Sequence, residues 1–320
     1  MKKIKVYIAG HNGMVGKSLH KYLIKKKIGK IIKADRKNLD LENLKKVNKF
    51  IKKNNPDVII NCAGKVGGIF ANNSYPTEFL NENILIQNNL INAAYQNKIE
   101  HFINLGSSCI YPRKSKQPIK EKYLLTGALE KTNEAYALAK IVGLKMCEFY
   151  NSQYKKSYLT LMPCNLYGPN DNFDLKNSHF LPALITKIIN NKKQRNNRIE
   201  IWGTGRPMRE VMHVDDLASA IYFILKKKIN RDKKLLKYIK DSSVINVGSG
   251  RELNITSFAK IICKILDNKN KLTFNPNYPD GTMRKILDNS HMRRLGWKPR
   301  IDIYKGLRQT INWYKNNIKK

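Results

Sequence analysis

The 320-residue chain carries 61 Lys+Arg against 24 Asp+Glu, a formal net charge of +37, with 42% hydrophobic residues, 18 Gly and 11 Pro. That hydrophobic fraction can build a core and excludes a disordered chain, while the Gly and Pro counts exclude a collagen-like or linker composition. At roughly 150 residues per domain, the length predicts one large domain or two closely packed ones.

The lysines are spread along the whole chain among abundant Asn and Ile. The charge therefore reads as composition bias, because a nucleic-acid surface clusters Arg and Lys among aromatics, and no nucleic-acid partner is expected. Two local concentrations, Lys192 to Arg198 and Lys226 to Lys240, are expected in solvated loops or helix ends. No apolar run reaches the ~18 residues that a bilayer-spanning helix needs. The N-terminal apolar stretch is broken at His11-Asn12-Gly13 before a signal-peptide core forms, so no membrane partner and a cytoplasmic location are expected. Cys62, Cys109, Cys147, Cys164 and Cys263 are odd in number and form no C-x-x-C pair, which predicts reduced thiols and no metal.

In chain order, residues 4 to 9 (Ile-Lys-Val-Tyr-Ile-Ala) predict a strand ending at Gly10, and Val15, Leu19 and Leu23 predict a helix behind it. Further strands are expected at Ile31 to Ala34, Val58 to Cys62, Phe102 to Leu105 and Tyr158 to Met162. Helices at Leu41 to Lys53, Thr77 to Gln96 and Asn133 to Tyr154 alternate with them. This rhythm predicts an α/β fold, a Rossmann-type doubly wound parallel sheet. After Pro169 it changes: an Asn/Asp-rich loop (Asn170 to Ser178), a helix (Phe180 to Asn190), a short strand (Ile199 to Trp202) and a long loop to His213. Asp215 to Lys228 then reads as a helix with Asp215 or Asp216 capping it, Val244 to Val247 as a strand, and Ile303 to Ile318 as the final helix. The expected division is a dinucleotide-binding domain over 1–168, with about 212–248 joining it, and a smaller substrate domain from 169–211 and 249–320.

Gly10-His11-Asn12-Gly13-Met14-Val15-Gly16 is a glycine turn between strand and helix, where free N–H groups and the positive helix end suit a pyrophosphate. About twenty residues later, Asp35 could accept from a ribose 2′-hydroxyl and Arg36 could pair with a 2′-phosphate, so the two point to different cofactors. Tyr136 and Lys140 are four residues apart, on one helix face, and Ser107 follows the fourth strand. An ammonium beside a phenol stabilises tyrosinate, which would bring Tyr136 nearer neutrality than its reference pKa of about 10.

Gly10 to Gly16, Gly106-Ser107-Ser108 and Tyr136 to Lys140 resemble the extended short-chain dehydrogenase/reductases. Lys65 to Asn73, Gly106 to Pro112, Asn165 to Pro169, Asp171 to Phe173, Asn177 to His179 and Pro207 to Glu210 narrow the resemblance to a branch acting on GDP-4-keto-6-deoxy-D-mannose. The resemblance implies epimerisation at C3 and C5, then hydride reduction at C4, yielding GDP-L-fucose. It maps Cys109 as base, His179 as acid, Tyr136 as the group that protonates or stabilises the C4 oxygen, Ser107 as the group orienting that oxygen, and Lys140 as holder of the nicotinamide ribose and tuner of Tyr136. It implies NADPH held by the glycine turn, Asp35, Arg36, Leu105 to Ser108, Lys140, Pro163, Cys164, Asn165, Leu166 and His179. GDP falls to Lys187, Trp202, Arg209 and Asp280, and a homodimer is implied through helices Thr77 to Gln96 and Asn133 to Tyr154.

Asn12 stands where an arginine is common, and Asp35 adds a negative charge beside the 2′-phosphate position, so NADH is expected to be usable. The thiol of Cys109 needs a cationic or helix-end neighbour to serve as a base near neutral pH. Two rival readings are a nucleotide-sugar 4-epimerase, which needs no base for C3 or C5, and a cofactor sensor or nucleic-acid binder on the same scaffold.

Overall fold

The computed structural model describes residues 4–175, 177–193, 197–278, 280 and 282–318. In chain order its first half runs β1 (Ile4–Ala9), α1 (Met14–Lys25), β2 (Gly29–Ile32), α2 (Leu44–Asn54), β3 (Val58–Asn61), α3 (Ile69–Ser74), α4 (Pro76–Gln96), β4 (His101–Leu105), α5 (Glu134–Tyr154) and β5 (Leu159–Pro163). The second half runs β6 (Asn165–Tyr167), α6 (Phe180–Lys193), β7 (Arg198–Trp202), β8 (Met208–His213), α7 (Val214–Ile229), α8 (Lys233–Asp241) and β9 (Val244–Val247). It ends with β10 (Glu252–Asn254), α9 (Ile255–Leu266), β11 (Lys271–Asn275), β12 (Arg284–Lys285), α10 (Ser290–Leu295) and α11 (Ile303–Asn317).

Six parallel strands form the main sheet in the order β2-β1-β3-β4-β5-β9. The chain moves outward from β1 to β2 and then returns to the other side of β1, so the order reverses at the carboxyl end of β1, where ligands of such sheets bind. The two-residue period of a strand sorts its side chains between the layers. Val6 and Ile8 pack in the core with Leu19 and Leu23 of α1 and Ile221 and Leu225 of α7, while Tyr7 and Ala9 pack with Val47 of α2 and Leu90 of α4.

Helix starts carry readable caps. Asn43 accepts from the Lys46 N–H at 3.0 Å, Asp232 from that of Leu235 at 2.9 Å, and Pro76 opens α4, where a missing N–H costs nothing. A third core gathers α6, β7, α9 and α11 around Ile185, Ile201, Phe258 and Leu307. Beside it, β8 pairs with β6, β10 and β12, and β7 with β11.

Four expectations are corrected. The second strand is Gly29–Ile32, two residues earlier than expected, leaving Ala34 to Arg36 in the loop beyond it. Residues 208–213 are a strand, not the end of a long loop; its partners all come from distant segments, and Arg209 and Glu210 hide its β character. The lysine concentration at 226–240 spans the end of α7 and most of α8, and Lys228 is 1% exposed, its ammonium donating to the Ser157 carbonyl and hydroxyl. The other concentration lies partly outside the described residues.

Neither Asp215 nor Asp216 caps α7. The His213 Nδ1 accepts from the Asp215 N–H at 3.2 Å, Asp215 accepts from the Ser18 hydroxyl at 2.6 Å, and Asp216 accepts from the N–H groups of Arg300 and Ile301 at 3.0 Å.

Candidate active site

The glycine turn sits at the reversal point. Gly10 has φ +76°, and a Cβ there would lie 2.6 Å from the Ala63 backbone, so the turn can press against the end of β3 only with glycine. Gly16 lets α1 approach, since a Cβ would stand 2.2 Å from the Gly10 carbonyl oxygen. Gly13 differs: its absent Cβ would meet only that oxygen, at an ordinary 3.6 Å, so the protein itself does not fill this space. Beside it, the N–H groups of Met14, Val15 and Gly16 open the helix with no intrahelical acceptor. An unfilled cradle next to free donors fits a dinucleotide pyrophosphate.

At the adenosine end, Asp35 is engaged by its neighbours: the Asn12 amide donates to its carboxylate at 2.6 Å, and His11 Nε2 lies 3.3 Å away. Arg36 is highly exposed and pairs with Glu42 at 2.9 Å. The guanidinium is therefore free to exchange a surface carboxylate for a phosphate, while the Asp35 carboxylate is held by two side chains of the glycine turn.

Ser107, Tyr136 and Lys140 meet at the end of β4. The Ser107 hydroxyl accepts from the Cys109 N–H at 3.4 Å, and its nearness opposes part of the rise in the Tyr136 phenol's pKa. The Lys140 ammonium donates to the Leu105 carbonyl at 3.1 Å and lies 5.6 Å from the Tyr136 ring centroid. Burial pulls the Lys140 pKa down to about 8, and burial, with Cys109 nearby, pushes the Tyr136 phenol well above its usual range. The expected drift of Tyr136 toward neutrality is thus reversed: the ammonium is spent on a carbonyl, and desolvation of the phenolate outweighs what remains.

Cys109 is buried in the short turn after β4, and burial raises its thiol pKa; Lys285 is the foremost opposing influence, ahead of the Ser107 hydrogen bond and Lys140. Lys285 is the cation that sequence reading could not name. β12 pairs with β8, setting Lys285 beside Arg209, and nothing in Arg284-Lys285-Ile286 advertises this. His179 precedes α6 as an exposed residue whose side chain has no hydrogen-bond partner among the described residues, and desolvation of its imidazole lowers its pKa. The Asn177 carbonyl just before it accepts from the Gly68 N–H at 2.8 Å, tying this loop to α3.

Sequence reading also missed a buried amide cluster. Asn61 donates to Asn104 at 2.9 Å, and Gln87 donates to the Ala139 carbonyl at 3.0 Å. The Asn83 Oδ1 has no partner among the described residues, and a Cβ on Gly64 would lie 2.6 Å from it and 3.4 Å from the Lys140 Nζ. Glu210, 2% exposed, accepts from the N–H groups of Gly250 at 2.7 Å and Leu287 at 2.9 Å, fixing the loop behind Cys164. Pro163 closes β5, Cys164 is buried behind it, and Asn165 and Leu166 lie half-buried in β6 beside β8.

The four residues expected around a nucleotide gather at the ends of β7 and β8. Lys187 lies 3.5 Å from Glu200 and 5.2 Å from the Trp202 ring centroid. Arg209 donates to the carbonyls of Thr282 at 2.6 Å and Asp280 at 3.4 Å, and the Asp280 carboxylate accepts from the Thr204 N–H and hydroxyl, both at 2.7 Å. Trp202 read alone suggests a core residue; it is 58% exposed instead.

The glycine turn at the reversal point of a parallel sheet, with buried Lys140, Ser107 and Tyr136 beyond β4, has the layout of a dinucleotide-dependent fold, and the comparisons give its family. Residues 6–248 match the model of the NAD dependent epimerase/dehydratase family, and the chain belongs to that family. It is 42% identical to the GDP-L-fucose synthase of Escherichia coli (strain K12) over 99% of this chain and 98% of the relative, and 40% identical to GDP-L-fucose synthase 1 of Arabidopsis thaliana over 99% and 95%. Among solved structures, a GDP-D-glycero-L-gluco-heptose synthase from Campylobacter jejuni, crystallised in the presence of NADPH, superposes with a TM-score of 0.87 at 34% identity, over 98% of this chain and 99% of that one.

Proposed function

We propose that this chain converts GDP-4-keto-6-deoxy-D-mannose to GDP-L-fucose with NADPH. The observation that carries the reading is the gathering of Ser107, Cys109, Tyr136 and Lys140 at the end of β4, in a chain whose cation and indole cluster suits a GDP moiety. The full-length similarity to GDP-L-fucose synthases supports it.

The C4 carbonyl of such a sugar acidifies the protons on C3 and C5, so one base and one acid can serve both inversions. At each carbon Cys109 removes the proton as thiolate and His179 delivers one to the opposite face, the thiol giving up its proton and the imidazole regaining one by exchange with solvent between the two inversions. Ser107 donates a hydrogen bond to the developing C4 oxyanion. Tyr136 then delivers the proton that the C4 oxygen needs on reduction. A phenol held strongly protonated by burial is suited to that role, and it makes Tyr136 an acid rather than a base. When bound, the reduced nicotinamide supplies the hydride to C4. The glycine turn, Leu105 to Ser108, Lys140, Pro163 to Leu166, His179 and Arg36 are the residues that would hold the cofactor, with the strands of 1–168 and about 212–248 carrying it and the remainder carrying the GDP end.

A homodimer through α4 and α5 belongs to this reading. Leu85 on α4 and Leu138, Val142 and Phe149 on α5 leave apolar side chains in solvent on two helices packed together. Nicotinamide absorbance followed with GDP-4-keto-6-deoxymannose and NADPH tests the whole reading: oxidation of NADPH with formation of GDP-L-fucose is expected, and an enzyme inert toward that substrate but active on UDP-glucose would replace it with a 4-epimerase.

A further inference from the structure

The Trp202 and Tyr278 rings are stacked in solvent, their centroids 4.4 Å apart and their planes 11° from parallel. Both are large exposed surfaces, at 58% and 41%. The pair is built from the backbone outward. β7 and β11 run parallel with Trp202 opposite Asn275, and the Tyr278 N–H donates to the Asn275 carbonyl at 3.3 Å in the turn that follows. On the far side of that turn, Asp280 is bonded to Thr204, two residues past Trp202. The indole N–H donates to Glu200 at 3.1 Å, and the Asn275 amide donates to the same carboxylate at 3.2 Å, which fixes the indole's rotation.

Two aromatic rings held parallel in water, with Tyr278 covering one indole face, form a flat platform rather than a core. Its surroundings carry both charges: the Lys187 ammonium lies over the indole and 3.5 Å from Glu200, and Arg209 is anchored in the turn that holds Asp280. A flat apolar face beside a lysine and an arginine matches one ligand chemistry, a planar base joined to a diphosphate. We propose that Tyr278 is a base-binding residue, its ring extending the Trp202 platform so that the purine of the GDP-sugar stacks on the tyrosine. This rests on the nucleotide-sugar reading above and adds to it the residue that meets the base.

The test is calorimetric titration of the full chain, saturated with NADPH, with GDP and separately with pyrophosphate. Tyr278→Ala is expected to bind GDP about tenfold more weakly than wild type, as loss of one base–aromatic stack implies, with pyrophosphate affinity unchanged. Tyr278→Phe keeps the ring and is expected to bind GDP like wild type. NADPH affinity reports folding independently of the platform, and Tyr278→Leu serves as the second truncation should the alanine variant lose it. Wild-type or tighter GDP binding by Tyr278→Ala overturns the inference, the tighter result meaning that the tyrosine only occupies the base's place on Trp202. A wild-type chain that fails to bind GDP at all removes the nucleotide-sugar reading and this inference together.

Discussion

Alanine at Gly13 and alanine at Gly16 should separate cofactor binding from folding, although the two positions lie in one turn. At Gly16 the new Cβ would stand 2.2 Å from the Gly10 carbonyl oxygen and 2.6 Å from the His11 Cα. Restoring an ordinary contact requires α1 to move by about 1.2 Å against backbone atoms that have no rotamer to yield. That helix buries Leu19 and Leu23 completely against the sheet, so the shift opens packing as well as relieving the clash. Overpacking of this kind costs typically 1–3 kcal/mol, and with backbone on both sides about 3 kcal/mol is expected. For a chain of this length that lowers Tm by roughly 5 °C or more.

At Gly13 the backbone is extended, φ −72° and ψ 168°, which alanine adopts freely, and the Cβ meets nothing closer than 3.6 Å. The poorer N-cap costs roughly 0.5–1 kcal/mol, offset by a similar gain from a stiffer unfolded chain, so Tm should stay within about 2 °C. The methyl group instead occupies the space left for the pyrophosphate, and NADPH affinity should fall at least about tenfold. Thermal melts and NADPH fluorescence titrations on both variants are the assay. Wild-type NADPH binding by Gly13→Ala, or a Gly16→Ala protein as stable as wild type, would refute the reasoning.

Other outcomes follow from the same site. Cys109→Ser should bind the GDP-sugar but lose exchange of the C3 and C5 protons with deuterated solvent, measured by NMR, whereas Tyr136→Phe should keep some exchange and lose most net reduction; wild-type exchange by Cys109→Ser would exclude the thiol as base. Arg36→Ala should lower the ratio of kcat/KM for NADPH over NADH by about tenfold, since the exposed guanidinium has Glu42 to release, and an unmoved ratio would leave the choice to Asp35. Lys140 has a folded-state pKa of about 8 against 10.5 for the ordinary side chain. It therefore contributes stability that is complete above 10.5 and lost as pH falls through about 8. Lys140→Met should remove roughly 3 kcal/mol of the rise in urea stability between these limits, and an unchanged pH slope would contradict the burial of the ammonium.

Local sequence carried much of this protein. Alternation of short β-branched runs with helices specified a parallel sheet, because each strand needs a helix to return the chain and to cover one face. The glycine turn and Tyr136 with Lys140 were legible for the same reason: each works through residues within one turn or one helix face.

What sequence spacing could not supply were effects created by distant neighbours. β8 is a strand because β6, β10 and β12 flank it, not because Met-Arg-Glu-Val-Met-His favours one. The Tyr136 phenol goes up rather than down because desolvation is a property of the packed site, while spacing alone shows only the nearby ammonium. Lys285 reaches the surroundings of Cys109 through a two-residue strand 176 positions away in the chain, and Tyr278 meets Trp202 only because β11 lies alongside β7. Residue type and local period set the elements and their first chemistry; proton affinities and the Trp202–Tyr278 stack arise where segments far apart in sequence are brought together.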